Sequence, residues 1–160
     1  MTSAVPAMQD DLDRIMSVME CAFPAQFGEA WNRRQVSDAL LQPATRYCLL
    51  NSSGSFCTND QMVTAGFTLS RFLLDEEELL LFAIAPEFRG RGFGRKLLEH
   101  CIEQARLRGV RRMFLEMRKN NPAGVLYAAM GFRVVGVRPQ YYRLHGGERL
   151  DAISQQLVID

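Results

Sequence analysis

Apolar residues recur along this chain in several rhythms, and each change of rhythm marks a new element. Leu12, Ile15, Met16 and Met19 fall at helical spacing. They predict a helix over residues 10–21, with Asp10, Asp11 and Asp13 in a first turn where the helix dipole favours acids. After a loop containing Pro24 and Gly28, Val36, Leu40 and Leu41 share one side of a second helix, about 32–41, with Pro43 just past its end. Residues 47–50 read as a short strand, 51–60 as a polar turn and 62–72 as a strand with partial alternation. Residues 75–78 are acidic and read as a solvated turn, so the strand after them pairs with 62–72 as a hairpin.

The next run, Leu79-Leu80-Leu81-Phe82-Ala83-Ile84-Ala85, does not alternate at all. A short continuous apolar run bounded by turn signals predicts a strand covered on both faces. Pro86 ends it, and glycines at 90, 92 and 94 follow among arginines. A helix over 94–108 comes next, with Leu97, Leu98, Cys101, Ile102 and Ala105 as its stripe and Gly109 as its cap. Residues 113–117 are a buried strand. Asn120 or Asn121 caps a further helix with Pro122 in its first turn, running to Met130 and Gly131. Strands follow at 132–138, 141–144 and 153–159. Hairpin and parallel connections are mixed in this order. The expected fold class is therefore α/β: a mixed, mostly antiparallel central sheet with helices on both faces. No repeat or linker divides residues 1–160, which read as a single domain.

Composition narrows the function classes. With 48% apolar and 23% charged residues the chain has ordinary globular composition, and its net charge of +1 gives no general pull toward nucleic acid or an anionic membrane. The first sixteen residues carry acids rather than a basic start and an apolar run, so no secretory signal is read there. No apolar run approaches the roughly 18 residues of a membrane span. Cys21, Cys48, Cys57 and Cys101 are far apart with no metal-type spacing, so they read as free thiols of a cytoplasmic, reducing compartment, and no metal is expected.

Candidate chemistry concentrates after the apolar strand. Glycines let the backbone of 90–94 turn tightly and present its N–H groups, and the following helix N-terminus adds unpaired donors and partial positive charge. Together they make a cradle for a phosphate or pyrophosphate. The nucleotide-triphosphate loop is excluded, because Gly94 is followed by Arg95-Lys96-Leu97 with no hydroxyl for magnesium. The dinucleotide fingerprint fails in its third glycine, although Glu116 stands about 20 residues on, where a ribose-binding acid belongs.

Arg89-x-x-Gly92-x-Gly94 after an apolar strand resembles the acetyl-CoA-binding motif of the GCN5-related N-acetyltransferases. Leu115-Glu116-Met117-Arg118, Asn120, Leu126-Tyr127, Gly131-Phe132, Tyr141-Tyr142 and Asp151-Ala152 extend the resemblance from Glu78 to the C-terminus, nearest to the ribosomal-protein-alanine N-acetyltransferase subgroup. The resemblance implies the fold of that family and acetyl-CoA as co-substrate. It implies that Phe82, Ala83 and Ile84 offer backbone groups to the pantetheine arm and acetyl carbonyl. Gly90, Arg91, Gly92, Phe93, Gly94 and Arg95 would hold the pyrophosphate, and Asn120 would contact CoA. Glu116 would be the general base and Tyr127 the general acid. Glu116, amid Phe114, Leu115 and Met117, is expected to have a raised pKa. Arg118-Lys119-Asn120 is one residue shorter than the subgroup's usual spacing. Tyr141 and Tyr142 would border the acceptor, a protein N-terminal α-amine such as the alanine of a ribosomal protein. An α-amine is easier to deprotonate near neutrality than lysine. Cys101 lies on the helix stripe, so no acyl-cysteine intermediate is expected. A small-molecule amine as acceptor, and a CoA-binding sensor without catalysis, are the alternatives. Neither nucleic acid nor a membrane is an expected partner.

Overall fold

The computed structural model describes residues 4–56 and 62–160. Cys57 and part of the polar turn expected at 51–60 lie outside them. The elements are α1 (Ala4–Ala22), α2 (Arg33–Leu40), β1 (Thr45–Asn51), β2 (Thr64–Leu73), β3 (Glu76–Ile84), α3 (Phe93–Leu107), β4 (Arg112–Arg118), α4 (Ala123–Ala129), β5 (Arg133–Arg143) and β6 (Arg149–Val158). Among the described residues, one six-stranded sheet has the order β1-β2-β3-β4-β6-β5, with β3 and β4 paired in parallel and the other pairs antiparallel. The mixed, mostly antiparallel α/β sheet expected from the pattern is the sheet observed.

Both faces of its N-terminal half are covered. Residues 64–70 of β2 are all buried. Ala65, Phe67 and Leu69 join Leu12, Ile15 and Met19 of α1 in one apolar cluster. On the other face Thr68 and Ser70 lie under α3, near Cys101 and Arg108. A second cluster gathers Leu98, Cys101 and Ala105 of α3 with Met113, Leu115, Tyr127 and Phe132, and Phe82 packs against both clusters.

Three expectations need correction. α1 begins at Ala4, so Asp11 and Asp13 sit in mid-helix rather than in the first turn; Pro6 is tolerated because it falls in that first turn. Residues 76–78 are strand, not a solvated turn; the turn is Leu74–Asp75, with Leu74 at φ 59°. Glu77 is only 1% exposed, bonded to Arg108 and, at 2.5 Å, by the Ser70 hydroxyl. Third, the strands expected at 132–138 and 141–144 are one strand, β5, with an irregularity against β6 between Arg138 and Tyr142. Gln140 lies inside it at φ 53°. His100 of α3 stacks on Phe56 at 3.7 Å between ring centroids.

The irregularity that shapes the molecule is in β3. Leu69 pairs with Leu81 but Ser70 with Leu79, which leaves Leu80 as an extra residue. A bulge of this kind bends its strand and increases local twist. The β3–β4 ladder ends at the same place, with Leu79 opposite Leu115 its last pair. Beyond it the two strands diverge, although β3 continues to Ile84 and β4 to Arg118.

Candidate active site

A cavity of about 460 Å³ occupies the gap left by that divergence. Phe82, Ala83 and Ile84 form one wall, Arg118 and the start of α4 another, and Gly90, Gly92, Phe93 and Gly94 close one end. Ala22, Phe23, Pro24 and Glu29, from the end of α1 and the loop after it, cover the cavity. The family of backbone groups available in β3 follows from alternation. The Ala85 N–H bonds to Ala65 O of β2 at 2.8 Å, and the Ala83 carbonyl also lies toward β2, 2.7 Å from where a Cβ on Gly66 would stand. Neighbouring residues point the opposite way, so the main-chain groups of Phe82 and Ile84 face the gap. Ala83 contributes to the wall, but its carbonyl is turned away. The Ile84 carbonyl accepts from Arg89 Nε at 3.0 Å, and Arg89 also donates to the carbonyl of Ala22 at 2.8 Å. One guanidinium thus ties the end of β3 to the end of α1.

Gly90 and Gly92 have φ of 75° and 80°, a conformation that costs other residues roughly 1–2 kcal/mol. Gly92 caps α3 and has no side chain to satisfy its first amides. The N–H groups at the start of that helix therefore point, unpaired by any cap, toward the cavity that Gly92, Phe93 and Gly94 line. Arg91 lies over the Phe88 ring at 5.5 Å and Arg95 pairs with Glu99 at 3.3 Å; neither lines the cavity.

On β4 the two faces carry different chemistry. Leu115 packs with Tyr127, and Met117 lies under Gly124, whose added Cβ would be 2.9 Å from Met117 Cε. Tyr127 of α4 lines the cavity on this side, its ring 6.0 Å from Phe82 and 5.7 Å from Phe132. Burial first, then the charge of Glu29, raises the phenol's pKa well above its ordinary value. Glu116 and Arg118 share the opposite face by alternation. Glu116 Oε2 is 3.4 Å from Ser154 Oγ and 3.4 Å from Arg138 Nε. The apolar enclosure expected for Glu116 is thus not what its carboxylate meets, because Leu115 and Met117 point away from it. Arg118 is buried, 3.3 Å from Glu29 and stacked on Phe27 at 3.5 Å from the ring centroid. Tyr142 completes this side: burial raises its pKa to about 12, helped by the charges of Glu116 and Glu29. Tyr141 is exposed, beside Arg138.

Asn121, not Asn120, lines the cavity. Asn120 takes a left-handed turn at φ 70°, and Asn121 Oδ1 accepts from Ala123 N at 2.9 Å, which starts α4. Arg89, Glu29, Arg118 and Asn121 are wall residues to which the sequence reading assigned no site role, although Arg89 and Arg118 stand in the quoted motifs and Asn121 among the candidate helix caps. Arg118 had a usable signal, since it shares the strand face of Glu116 two positions away; Glu29, in a loop, had none. Among the described residues no cluster of side chains suits a metal ion, and no helix is long and apolar enough to cross a membrane.

A family model described as acetyltransferase (GNAT) family matches residues 12–132. The [ribosomal protein bS18]-alanine N-acetyltransferase of Salmonella typhimurium is 41% identical over 96 residues, which are 59% of this chain and 64% of that protein, a little under two thirds of its length. The enzyme of the same name from Haemophilus ducreyi is 33% identical over 126 residues, 76% of this chain and 87% of the relative. The crystal structure of the ribosomal-protein-S18-alanine N-acetyltransferase from Escherichia coli superposes with a TM-score of 0.76 at 30% identity, covering 94% of this chain and 89% of that one.

Proposed function

The chain belongs to the acetyltransferase (GNAT) family, and on that premise we propose that it moves an acetyl group from acetyl-CoA to the N-terminal α-amine of a protein, with the alanine of a ribosomal protein as the acceptor its relatives favour. The observation that carries this reading is the gap beyond Leu79 and Leu115, flanked by the uncapped start of α3 and by Tyr127. The α3 amides and the glycine turn take the diphosphate of the carrier. The pantetheine arm lies along the main-chain groups of Phe82 and the N–H of Ile84, which face the gap, and an N–H there supports the negative charge that grows on the thioester oxygen.

The two faces of β4 divide the remaining work. The acceptor amine enters on the face of Glu116, Glu29 and Tyr142, whose oxygens can accept hydrogen bonds from it. Glu116, directly or through water, takes the proton as the amine attacks the thioester carbonyl. The carbon–sulfur bond breaks on the other face, where Tyr127 donates to the departing sulfur. No acyl-enzyme is needed.

Thermal unfolding of the protein with acetyl-CoA and with NAD tests the carrier: stabilisation by acetyl-CoA alone is expected, and stabilisation by NAD alone would overturn the reading. Peptides beginning with alanine, assayed against a panel of small amines, test the acceptor. Turnover of the peptide is expected; turnover of small amines alone assigns the protein to them instead. Glu116→Gln should lower kcat by about 10²-fold at neutral pH. That deficit should narrow as the pH passes about 8, where a free α-amine loses its own proton. Gly92→Val should raise the KM for acetyl-CoA roughly tenfold, because a side chain at this φ forces the cradle out of shape.

A further inference from the structure

A second cavity, of about 330 Å³, is bounded by α1, β1, β2, β3 and the middle of α3, and it shares no lining residue with the first. Two thiols from different elements meet in its wall: Cys48 on β1, partly exposed, and Cys101 on α3, 3% exposed. Both side chains line this one cavity, where α3 packs on β1. Thr68, paired with Cys48 across β1 and β2, has a buried hydroxyl with no hydrogen-bond partner and lines the same cavity. Arg108 and the buried Glu77 complete the charged surroundings. The acyl-transfer chemistry uses none of these groups.

We propose that Cys48 and Cys101 are a redox-active dithiol, with Cys48 as the attacking sulfur and Cys101 as the resolving one, oxidised by a small-molecule disulfide of the glutathione type that enters this cavity. The Cys48 thiolate attacks one sulfur of the incoming disulfide. A new S–S bond forms, the old one breaks, and one glutathione leaves as a thiolate that takes up a proton. Cys101 then gives up its proton and attacks the Cys48 sulfur, expelling the second glutathione. The protein loses two electrons and two protons, and one disulfide becomes two thiols.

The surroundings suit this order of events. The donated Cys101 proton, then Thr68 and Arg108, outweigh burial and bring the Cys48 thiol down to about 7, where an attacking thiol is both ionised and nucleophilic. Cys101 is held well above the ordinary thiol range, chiefly by donating to Cys48, with burial second. Capping Cys48 removes the negative sulfur that holds that proton, so the resolving thiol is released only after the first step.

The test uses the full chain with Cys21→Ser and Cys57→Ser, treated with glutathione disulfide, alkylated under denaturing conditions and weighed. Joint loss of both thiols with no glutathione retained, a proteolytic peptide pair linking Cys48 to Cys101, and reversal by dithiothreitol are expected. With Cys101→Ala added, the reaction should stop at a stable glutathione adduct on Cys48; with Cys48→Ala, Cys101 should stay reduced. Full alkylation of both thiols after treatment, or a retained adduct with Cys101 still free in the parent protein, would overturn the proposal. The linked peptide is read in the parent protein, so the result does not depend on a variant that opens a hole in the core.

Discussion

Tyr127→Phe lowers kcat by about 10²-fold and leaves the KM for acetyl-CoA within a few-fold of wild type, the signature of an interaction made only in the transition state. The ring stays, so its packing on Phe82 and Phe132 stays, and only the hydroxyl is lost. Burial raises the phenol's pKa, which keeps its proton in place throughout the neutral range. An alkyl thiolate is a weaker base than this phenolate, with a thiol pKa of about 8.5. The hydroxyl therefore acts as a hydrogen-bond donor to the developing sulfur anion and keeps its own proton, and the released thiolate takes its proton from solvent. Steady-state kinetics with separate variation of acetyl-CoA and peptide check this. A kcat within about threefold of wild type would remove Tyr127 from the chemistry.

Arg108→Ala destabilises the fold by about 3 kcal/mol, the low end for breaking a buried ion pair. The low end applies because the Arg108 side chain is 28% exposed whereas that of Glu77 is 1% exposed. The loss arises from the carboxylate left behind, which retains Ser70 as a donor but no counter-charge. In a chain of 160 residues that corresponds to a fall in Tm of roughly 6–12 °C. Adding Glu77→Gln to Arg108→Ala should recover part of it, since a neutral amide still bonds to Ser70 and carries no uncompensated charge. Thermal denaturation of the single and double variants measures both effects. A double variant no more stable than the single one would locate the loss in packing around the arginine stem instead.

The sequence displays this site unevenly, for physical reasons. β3, the glycine turn and α3 are legible because each obeys a local rule: an unbroken apolar run, positive φ at glycine, and a helical stripe. Glu77 is illegible because an acidic run reads as solvated, and the arginine that permits its burial lies 31 residues away. The choice between Asn120 and Asn121 rests on which of two adjacent, chemically identical residues takes the left-handed turn. Tyr141 and Tyr142 divide between solvent and site through the irregularity of β5, a pairing effect with β6 that no local pattern announces. Leu80 is the clearest case: it is one leucine in a run of three, yet the register against β2 makes it the surplus residue.

That surplus residue has a mechanical consequence. The sheet is two half-sheets joined by four parallel pairs, each half backed by its own apolar cluster. On the proposed function, a carrier lodged between them would be a structural member as well as a reactant, packing in the gap and stabilising the fold by its own occupancy. Each round of loading and release would then stiffen and slacken the molecule across its waist.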